Sequence, residues 1–455
     1  MNAPSSALLR KYNVPGPRYT SYPTVPYWER TPTEAEWIDA LRARLSGETA
    51  GVRGAAIYVH IPFCRSLCTY CGCNVRITRN RAIALPYLEA VLTEWRMYLE
   101  RLQADRLAVA EIHLGGGTPT FLTPDELTFL IDGLLARSSV GGEPEFSIEA
   151  DPRVTNREQL ATLSALGFRR LSLGIQDFDP RVQAIVNRVQ SEEQVRELTE
   201  AARELGFTSI NYDLICGLPL QTIASIEQTL GAVQRLRPDR IAFYAYAHVP
   251  WIKPSQRRFT EADLPEGEAK RALYERGREM LEGAGYREIG MDHFALESDA
   301  LWQATQAGTL HRNFMGYTSR HVDPLIGLGV SAIGDAWTAF AQNEKAIEPY
   351  QQRVLRGELP LLRGHVLDAE DLELRRLILD LMTRFRATWD ASTGGHLDDV
   401  PWKLRELVAD ELVALSENGC EVTERGRAFI RNVCMAFDAR LARKAPDTQL
   451  FSKTI

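Results

Sequence analysis

The sequence predicts an α/β fold: a partial, TIM-like (β/α)6 barrel of parallel strands with an amino-terminal lid segment and a mostly helical carboxyl-terminal domain. Two observations predict the barrel. Six short apolar runs alternate with amphipathic stretches of helical period, and chemically unusual residues follow the runs. Strands separated by helices require right-handed crossovers and pair in parallel, and six such units leave a barrel open. A doubly wound open sheet is the alternative that the same alternation allows.

The strands and helices of the barrel are predicted from these patterns. The apolar runs that predict strands are 56–61, 111–114, 145–148, 171–175, 211–215 and 240–243. The amphipathic stretches that predict helices between them are 85–103, 124–137, 156–166, 191–205 and 221–236. Thr123 followed by Pro124 predicts a helix start, and Gly167 and Gly206 predict helix ends, because glycine readily adopts the left-handed backbone of a helix terminus.

The residues that follow the predicted strands indicate where a ligand binds. In sheets of parallel strands, ligands bind at the carboxyl ends of the strands. The residues found there, in strand order, are Cys64, the glycines at 115–117, Glu149, Gln176, Gly217 and Ala247. Because these ends meet at one rim, we expect one site.

The two ends of the chain differ from the barrel. Residues 1–50 precede the first strand and contain the turn-rich sequence YTSYP at 19–23. Helical periodicity returns at 369–385, 403–415 and 423–441, with a short hairpin or wing predicted at 419–426. We therefore divide the chain into four parts: an amino-terminal lid (1–50), the barrel (51–300), a connecting region that lines the active site (301–364) and a helical domain (365–455).

The composition is that of a soluble globular protein, with 455 residues and a formal net charge of -7. That charge argues against a general nucleic-acid binder, which needs an excess of Lys and Arg. We expect no membrane association, since the start MNAPSSALLRKY has no signal-peptide core and no apolar run is long enough to span a membrane. The expected location is the cytoplasm, and nothing in the sequence calls for more than a monomer.

Four of the seven cysteines fall within ten residues, as Cys64-x3-Cys68-x2-Cys71 followed by Cys73. Such a cluster without a secretory signal indicates metal or redox chemistry rather than disulfides. Three thiolates on one loop can bind three irons of a cubane cluster and leave the fourth iron open. Tetrahedral zinc with Cys73 as a fourth ligand is the alternative, although Cys71 and Cys73 are too close in sequence to share one ion without strain. In the cluster interpretation Cys73 is a spectator.

Two further motifs lie next to the cysteines and are weaker signals. Tyr58 and His60 should share one face of the first strand, because side chains alternate along a strand. From these residues alone, a packed aromatic ring and a hydrogen-bonded core histidine are the preferred interpretation. The glycines at 115–117 would let the backbone approach a ligand closely, and a plain tight turn is the alternative.

Together the cysteine loop and the glycine segment resemble those of the radical S-adenosylmethionine (SAM) superfamily. Within it, the chain resembles the oxygen-independent coproporphyrinogen III oxidases (coproporphyrinogen dehydrogenases) along nearly its whole length. The matching blocks are KYNVPGPRYTSYP (11–23), YVHIPFC (58–64), CGCN (71–74), HLGGGTPTFL (113–122), SIEADPR (147–153), GIQDF (174–178), NYDLICGLP (211–219), YAHVP (246–250), GMDHFA (290–295), LHRNFMGYT (310–318), GLGVSAI (327–333) and RNVCMAFD (431–438).

The resemblance implies a role for individual residues. It makes Cys64, Cys68 and Cys71 the ligands of a [4Fe–4S] cluster. The implied contacts of a first SAM are Tyr58, Gly116, Glu149 and Ile333. The implied contacts of a second SAM are Tyr70, Gly117, Thr118, Gln176, Arg188, Asp213 and Ala247. The expected catalytic residues are Tyr58, His60, Glu149 and Ile333.

Two positions depart from the family pattern. Met315 stands where the family usually has Gln, so the polar contact of that position is in doubt. Cys216 stands where the family has Tyr before Gly-Leu-Pro. Neither is an expected cluster ligand.

The resemblance also implies the reaction. An electron from a donor protein such as a flavodoxin or ferredoxin would reduce the cluster, and SAM cleavage would give a 5′-deoxyadenosyl radical. The radical would take a hydrogen from a propionate of coproporphyrinogen III, which loses carbon dioxide and an electron, and two rounds would give protoporphyrinogen IX. Candidate anchors for the substrate carboxylates, or else solvated surface charges, are His311, Arg312, Arg320, Arg257 and Arg258.

Three alternatives share parts of this pattern. Haem-binding chaperone relatives carry the cluster loop and glycine strip, but they typically lack the YTSYP block and have Cys-Asp-Phe where this chain has CGCN. A tetrapyrrole methyltransferase relative would use the same first steps on another substrate. A structural zinc module is the third.

Overall fold

The computed structural model describes residues 4–47, 54–389, 397–444 and 449–454. Its helices are α1 (Ser6–Tyr12), α2 (Glu34–Ser46), α3 (Ala84–Leu102), α4 (Pro124–Leu135), α5 (Arg157–Ala165), α6 (Pro180–Ile185), α7 (Glu192–Glu204), α8 (Ile223–Leu236), α9 (Gly267–Gly283), α10 (Ala300–Ala307), α11 (Ile347–Leu355), α12 (Ala369–Arg384), α13 (Val400–Ala409), α14 (Ile430–Phe437) and α15 (Ala439–Arg443).

The strands are short and lie mostly between these helices. They are β1 (Ala55–Ile61), β2 (Phe63–Cys64), β3 (Arg76–Ile77), β4 (Leu107–Gly116), β5 (Ser138–Ser139), β6 (Glu145–Ala150), β7 (Arg170–Gln176), β8 (Ser209–Cys216), β9 (Arg240–Ala245), β10 (Tyr286–Ile289), β11 (His293–Leu296), β12 (His311–Asn313), β13 (Gly316–Thr318), β14 (Leu325–Leu328), β15 (Ile333–Asp335), β16 (Ala339–Asn343), β17 (Leu361–Val366), β18 (Arg386–Thr388), β19 (Val413–Ser416) and β20 (Gly419–Val422).

One large sheet organises the molecule, with the strand order β10-β11-β9-β8-β7-β6-β4-β1-β14-β15-β16-β17. The six strands from β9 to β1 pair in parallel, and β14 adds a seventh parallel strand beside β1. The strands at both ends of the sheet are antiparallel. The predicted partial barrel of six parallel strands is therefore confirmed, and residues 325–366 extend the same sheet.

The predicted barrel elements match the observed ones closely. Each of the six apolar runs lies within a parallel strand, and each of the five amphipathic stretches forms a helix. Thr123 caps α4 through a capping box with Glu126, and Gly167 and Gly206 follow α5 and α7 with positive φ angles of 94° and 88°. The alternation of helix and strand can be predicted from the sequence because each strand and each helix buries one regular set of apolar side chains.

The carboxyl-terminal predictions are partly wrong. A helix was predicted to run through 403–415, but α13 ends at Ala409 and the chain enters strand β19 at Val413. Glu411 has a φ of 60°, which helical residues do not adopt. The helix predicted over 423–441 is shorter and consists of α14 and α15. The residues before α14 form a turn that packs against the Leu412 carbonyl oxygen, which a Cβ at Gly426 would approach to 1.9 Å. The hairpin expected at 419–426 is formed by β19 and β20, slightly earlier.

A second hydrophobic core lies apart from the barrel core. It combines Leu8, Leu9 and Tyr12 of α1 and Tyr19 and Tyr22 of the following segment with apolar side chains of α12, α13 and α14. The amino-terminal residues therefore pack against the carboxyl-terminal helices. We call this the second core.

The four-part division of the chain stays a prediction, and its boundary at 50/51 lies outside the described residues. Of the helices in the described residues, none is both long enough and apolar enough to cross a lipid bilayer.

Candidate active site

A cavity of about 540 Å³ runs along the parallel strands β6 to β9 and opens at their carboxyl ends, where the cysteine loop lines it. Its lining includes most of the residues that the sequence singles out. These are Cys64, Cys68, Tyr70, Cys71, Gly116, Gly117, Thr118, Glu149, Gln176, Arg188, Asp213 and Ala247. Because each strand contributes at its carboxyl end, residues far apart in sequence meet at one rim, as the fold class predicts.

Tyr58, His60 and Ile333 lie beside this cavity rather than in its lining. Tyr58 stacks on the His113 ring at 5.8 Å, and its hydroxyl lies 3.0 Å from His60 Nδ1. Ile333 is the first residue of β15. Gly327 of β14 lies between the two residues: it pairs with Tyr58 of β1, and a Cβ at Gly327 would lie 2.7 Å from the Ile333 backbone. The two expected SAM contacts therefore belong to β1 and β15, which lie on either side of β14.

His60 has a defined tautomer in this arrangement. Its Nε2 lies 2.8 Å from the Asn74 carbonyl oxygen, which can only accept, so Nε2 carries the proton and Nδ1 accepts from the Tyr58 hydroxyl. Burial lowers the pKa of His60, which favours the neutral ring. Asn74 follows the last cysteine, so His60 connects β1 to the end of the cysteine loop.

The cysteine loop is closed at its base by the short pairing of β2 with β3. Within it, the Cys71 N–H donates to the Cys68 carbonyl at 3.1 Å, and the Thr69 N–H donates to the Val186 carbonyl at 3.0 Å. Burial raises the pKa of Cys64 to about 11, whereas a hydrogen bond with Cys73 lowers the pKa of Cys71 to about 6. The cysteine loop is thus held by one backbone hydrogen bond within itself and by another to Val186, the residue that follows α6.

These residues fit an iron–sulfur cluster. In the described part of the chain, no three His, Cys, Asp or Glu side chains form a group that could hold a metal ion. The three thiols nevertheless line the same cavity, and in a cubane each thiolate binds its own iron, so the ligands need not converge on one point. The Thr118 hydroxyl lies 3.3 Å from Cys64 Sγ and supplies a polar neighbour to that thiol.

Positive charge surrounds Cys68. Arg153 Nη2 and Arg188 Nη1 lie 3.5 Å and 3.6 Å from its Sγ. Both guanidinium groups also bind Asp151, at 2.7 Å and 3.2 Å. Two cations beside one carboxylate leave a net positive charge, which suits a thiolate bound to an anionic cluster. Asp151 and Arg153 belong to the block SIEADPR, but strand-end position alone singled out only Glu149.

Glu149 is held by two donors. Burial would raise the pKa of this carboxyl, but His113 Nε2 at 3.4 Å and the Gly116 N–H at 3.1 Å bring the pKa below its usual value. A Cβ at Gly116 would lie 2.6 Å from the His60 ring, and the φ angle there is 111°. Glycine is therefore required at Gly116 by its own chain, in addition to any ligand.

Asp213 lies across the cavity from the cysteines on β8. It accepts from the Ser172 hydroxyl at 2.8 Å and from Asn211 Nδ2 at 2.9 Å, and burial raises its pKa to about 6. Nearby, Arg188 donates to the Gly174 carbonyl at 2.6 Å, and a Cβ at Gly174 would lie 2.8 Å from the arginine. Gly174 thus leaves the space that Arg188 occupies.

Gln256 connects the cysteine loop to the last barrel strand and was not predicted. Its Nε2 donates to the Tyr70 carbonyl at 3.0 Å and to the Ala247 carbonyl at 3.3 Å, and its Oε1 accepts from the Val249 N–H at 2.6 Å. The side chain is 1% exposed. A glutamine inside a loop has no sequence signature, so only the structure identifies it.

The candidate carboxylate anchors are found in different surroundings. Arg312 is buried above the Tyr317 ring at 4.4 Å, with Nε and Nη1 lacking hydrogen-bond partners. His311 stacks on His321, and Arg320 donates to the Glu143 carbonyl. Arg257 and Arg258 are exposed. A substrate-carboxylate role for these residues stays a prediction.

Arg18 reaches the cavity from the amino-terminal segment. Its guanidinium group donates to the Ala245 carbonyl and lies 3.5 Å from Asp292, which is hydrogen-bonded to His293 at 2.7 Å. His293 in turn lies 3.4 Å from the Tyr244 hydroxyl. The sequence predicts that the segment around Arg18 forms a lid, but it does not predict that the Arg18 side chain reaches the cavity.

Comparisons with known proteins agree with this geometry. Residues 58–233 match the family described as the Radical SAM superfamily. The chain is 42% identical to the oxygen-independent coproporphyrinogen III oxidase of Salmonella typhimurium, over 99% of this chain and 98% of the relative. The Pseudomonas aeruginosa protein of the same name is 40% identical over 98% of both chains. A solved structure from Escherichia coli, described as coproporphyrinogen III oxidase and a radical SAM enzyme, superposes with a TM-score of 0.87 at 40% identity, over 96% of this chain and 98% of that one.

Proposed function

The chain belongs to the oxygen-independent coproporphyrinogen III oxidases of the radical SAM superfamily, and from that membership we propose that it converts two propionates of coproporphyrinogen III into vinyl groups, giving protoporphyrinogen IX. Each propionate loses a hydrogen atom, carbon dioxide and one electron. The observation that carries this proposal is the meeting of three cysteines, Arg188, Glu149 and Asp213 around one cavity. Full-length similarity to oxidases favours this function over a haem-binding chaperone or a tetrapyrrole methyltransferase.

Cys64, Cys68 and Cys71 hold the [4Fe–4S] cluster in this proposal, one thiolate to each of three irons. When bound, the cluster and SAM supply the radical that removes hydrogen from the propionate. The protein's part is to position these groups and to exclude water and oxygen. Arg153 and Arg188 add positive charge beside Cys68 and so stabilise the anionic cluster.

Glu149 and its neighbours bind the first SAM. The carboxylate stays ionised because His113 and the Gly116 N–H lower its pKa, and an ionised carboxylate accepts well from ribose hydroxyls or an ammonium group. Tyr58 and Ile333, on the two strands that flank β14, would supply apolar contacts beside the cavity. His60 fixes the Tyr58 hydroxyl through its Nδ1, so it acts by positioning Tyr58.

A second SAM binds across the same cavity. Tyr70, Gly117, Thr118, Gln176, Arg188, Asp213 and Ala247 all line it. Arg188 suits the methionyl carboxylate, and Asp213 suits the ribose hydroxyls. Equilibrium dialysis of the reconstituted protein tests this count, which should approach two SAM per chain and fall to one in Asp213→Ala.

The decisive experiment is anaerobic turnover. Reconstituted protein is incubated with coproporphyrinogen III, SAM and dithionite, and the porphyrins are oxidised and separated by chromatography. We expect protoporphyrin, with 5′-deoxyadenosine and methionine as co-products. Haem binding without vinyl formation would instead identify a chaperone, a methylated tetrapyrrole would identify a methyltransferase, and protein that takes up zinc but no iron and sulfide would identify a zinc module.

A further inference from the structure

Two segments at the cysteine loop carry basic side chains and no acidic ones. Residues 64–83 contain four arginines, and residues 249–260 contain one lysine and two arginines, yet neither segment has an Asp or a Glu. The chain as a whole has a net charge of -7. Positive charge is therefore concentrated beside the cluster site against the average of the molecule.

The two segments are in contact. Lys253 Nζ donates to the Cys73 carbonyl at 3.2 Å, and Gln256 Nε2 donates to the Tyr70 carbonyl of the same cysteine loop at 3.0 Å. The β2–β3 pairing brings Ile77 beside Cys64, so the arginines that surround Ile77 lie close to Arg65. The cations of both segments thus belong to one surface around the thiols.

Five of the seven cations on this surface have no ion-pair partner in the described residues, whereas Arg76 and Arg81 pair with Glu348 and Glu126. Arg65, Arg79 and Arg258 are exposed and have no ion-pair partner in the ranges that the structure covers. Arg76 pairs with Glu348 at 3.1 Å, but both side chains are more than half exposed, and such pairs contribute little. The surface therefore presents a net positive field to solvent.

Exposed apolar side chains lie among these cations. Trp251 and Ile252 are 42% and 52% exposed, and Ile77 and Leu67, which also line the active-site cavity, are 41% and 37% exposed. Apolar and aromatic side chains surrounded by arginines are typical of the centre and rim of a protein interface. We call the surface formed by Leu67, Ile77, Trp251 and Ile252 with the cations of residues 64–83 and 249–260 the basic face.

The chemistry beneath the basic face indicates its partner. A cluster at the three thiols has to gain one electron from outside for each SAM that is cleaved, and Gly72 and Cys73 of the cysteine loop are exposed on this side. A partner that delivers the electron must bring its redox group to this loop. A flavodoxin-type carrier exposes the apolar edge of its flavin among acidic side chains, which complements apolar residues surrounded by arginines.

We propose that the basic face docks an acidic flavodoxin-type protein, which passes one electron from its flavin hydroquinone to the cluster. The hydroquinone anion becomes the neutral semiquinone by losing one electron, the cluster gains that electron, and no covalent bond forms between the proteins. This inference rests on the proposed function, because it requires the cluster at Cys64, Cys68 and Cys71. The alternative role for the same charges is the attraction of the carboxylates of coproporphyrinogen III.

The test compares two reductants with one enzyme. The double variant Arg76→Glu/Arg79→Glu changes two exposed residues of the basic face that belong to neither the cluster site nor the SAM contacts. The matched control, Arg96→Glu/Arg137→Glu, makes the same change of charge on exposed residues of α3 and of the turn after α4. Turnover is measured with reduced flavodoxin and, separately, with dithionite, at low and at high salt.

In the flavodoxin assay at low salt, we expect the KM for flavodoxin to rise about 10-fold or more in the basic-face variant, because charge steering is lost. Dithionite-supported turnover should stay within about 2-fold, and the control variant should match wild type in both assays. High salt should slow wild type with flavodoxin and narrow the gap between the two proteins.

Several outcomes would overturn the proposal. An unchanged KM for flavodoxin would refute docking at this face, and an equal loss with both reductants would indicate damage to the cluster loop. A raised KM for coproporphyrinogen III with dithionite would assign the charges to the substrate. Turnover with reduced ferredoxin but not with flavodoxin, and with the same charge dependence, would refute the choice of a flavin carrier. Wild type that is inactive with dithionite would contradict the proposed function itself.

Discussion

The barrel and the second core are held together in different ways. In the barrel, the parallel strands β4, β6, β7, β8 and β9 each contribute several residues to the cavity lining, so the site is assembled at regular intervals along the chain. In the second core, α1 and the following segment pack against α12 to α14, more than 350 residues later. The barrel therefore holds the chemistry, while the second core holds the segment that carries Arg18 to the cavity.

Buried polar groups in the two regions have different roles as well. Around the cavity, Glu149 and Asp213 keep an ionisable oxygen at a surface that a ligand can reach. In the second core, Arg431 binds main-chain carbonyls, and Asn432 Nδ2 donates to the Tyr12 carbonyl at 2.9 Å. Substitutions in the barrel rim should thus abolish the reaction while the protein stays folded, and substitutions in the second core should lower stability while cofactor binding persists.

The largest expected effect is at the cysteine loop. Cys68→Ser should lose the cluster and reduce anaerobic turnover at least about 1,000-fold, because serine does not replace a thiolate at iron. Iron and sulfide content, visible absorbance and electron paramagnetic resonance measure the cluster, and circular dichroism measures the fold. Cys73→Ser is the matched control and should keep the cluster. Loss of the cluster in Cys73→Ser with retention in Cys68→Ser would reverse the assignment of ligand and spectator.

The second largest effect is expected at Arg431 in α14. This 5% exposed guanidinium donates to the carbonyls of Gly16, Pro17 and Lys453, which join both chain ends to α14. Arg431→Leu leaves those acceptors buried without a donor and should lower the free energy of unfolding by about 3 kcal/mol. Urea unfolding of the purified protein measures this.

The control for Arg431 is Arg425→Leu, because Arg425 is exposed and its pair with Glu411 is long, at 3.4 Å. It should change stability by less than about 0.5 kcal/mol. Iron content per folded chain should be normal in both variants. Loss of the cluster in soluble, folded Arg431→Leu would show that the two regions are not separable, and Arg431→Lys provides a milder variant if the leucine variant does not fold.

Regular packing explains which parts of the fold the sequence reveals. The six strands could be predicted because β-alternation and helical crossovers repeat, and the rim followed because strand ends of a parallel sheet converge. Gln256 and Arg18 could not be predicted, since a side chain that reaches a distant carbonyl leaves no period in the sequence. The end of α13 and the start of α14 were predicted wrongly, because the backbone constraints at Glu411 and Gly426 override helical periodicity.

Glu94 tests the comparison from within the barrel. It is fully buried on α3, where it accepts from the Gly329 N–H at 2.8 Å, Asn343 Nδ2 at 2.6 Å and the Tyr350 hydroxyl at 2.6 Å. Burial raises its pKa from 4.5 to about 7 despite these donors. Between these two pKa values the folded protein keeps a proton that the unfolded chain has lost, so stability falls as the pH rises from about 4.5 to about 7 and then levels off.

Between pH 6 and pH 8 this group should cost wild type about 1.4 kcal/mol of unfolding free energy, the equivalent of one pKa unit. Glu94→Gln cannot ionise, and the difference between wild type and this variant should show that dependence when urea unfolding is measured across the range. Glu89→Gln, on the exposed side of α3, should follow wild type. A difference that stays constant between pH 6 and pH 8 would mean that Glu94 is ionised in the folded state throughout.

The smallest expected effect is at Tyr19, where the second core meets the cavity. Its hydroxyl donates to Asp438 at 3.1 Å, and its neighbour Arg18 lines the cavity. Tyr19→Phe should lower the free energy of unfolding by about 1 kcal/mol, the contribution of one buried hydrogen bond. Because Arg18 is then less firmly placed, the KM for coproporphyrinogen III should rise a few-fold while kcat stays unchanged.

Tyr27→Phe is the matched control for Tyr19, because the Tyr27 hydroxyl also bonds to the carboxyl-terminal region, at the Lys444 carbonyl 3.2 Å away. It removes a similar hydrogen bond nine residues from Arg18, so it should lower stability comparably and leave the KM unchanged. Equal KM values in the two variants would mean that the second core supports the fold alone. A rise confined to Tyr19→Phe would mean that it also places the amino-terminal segment as a lid over the substrate.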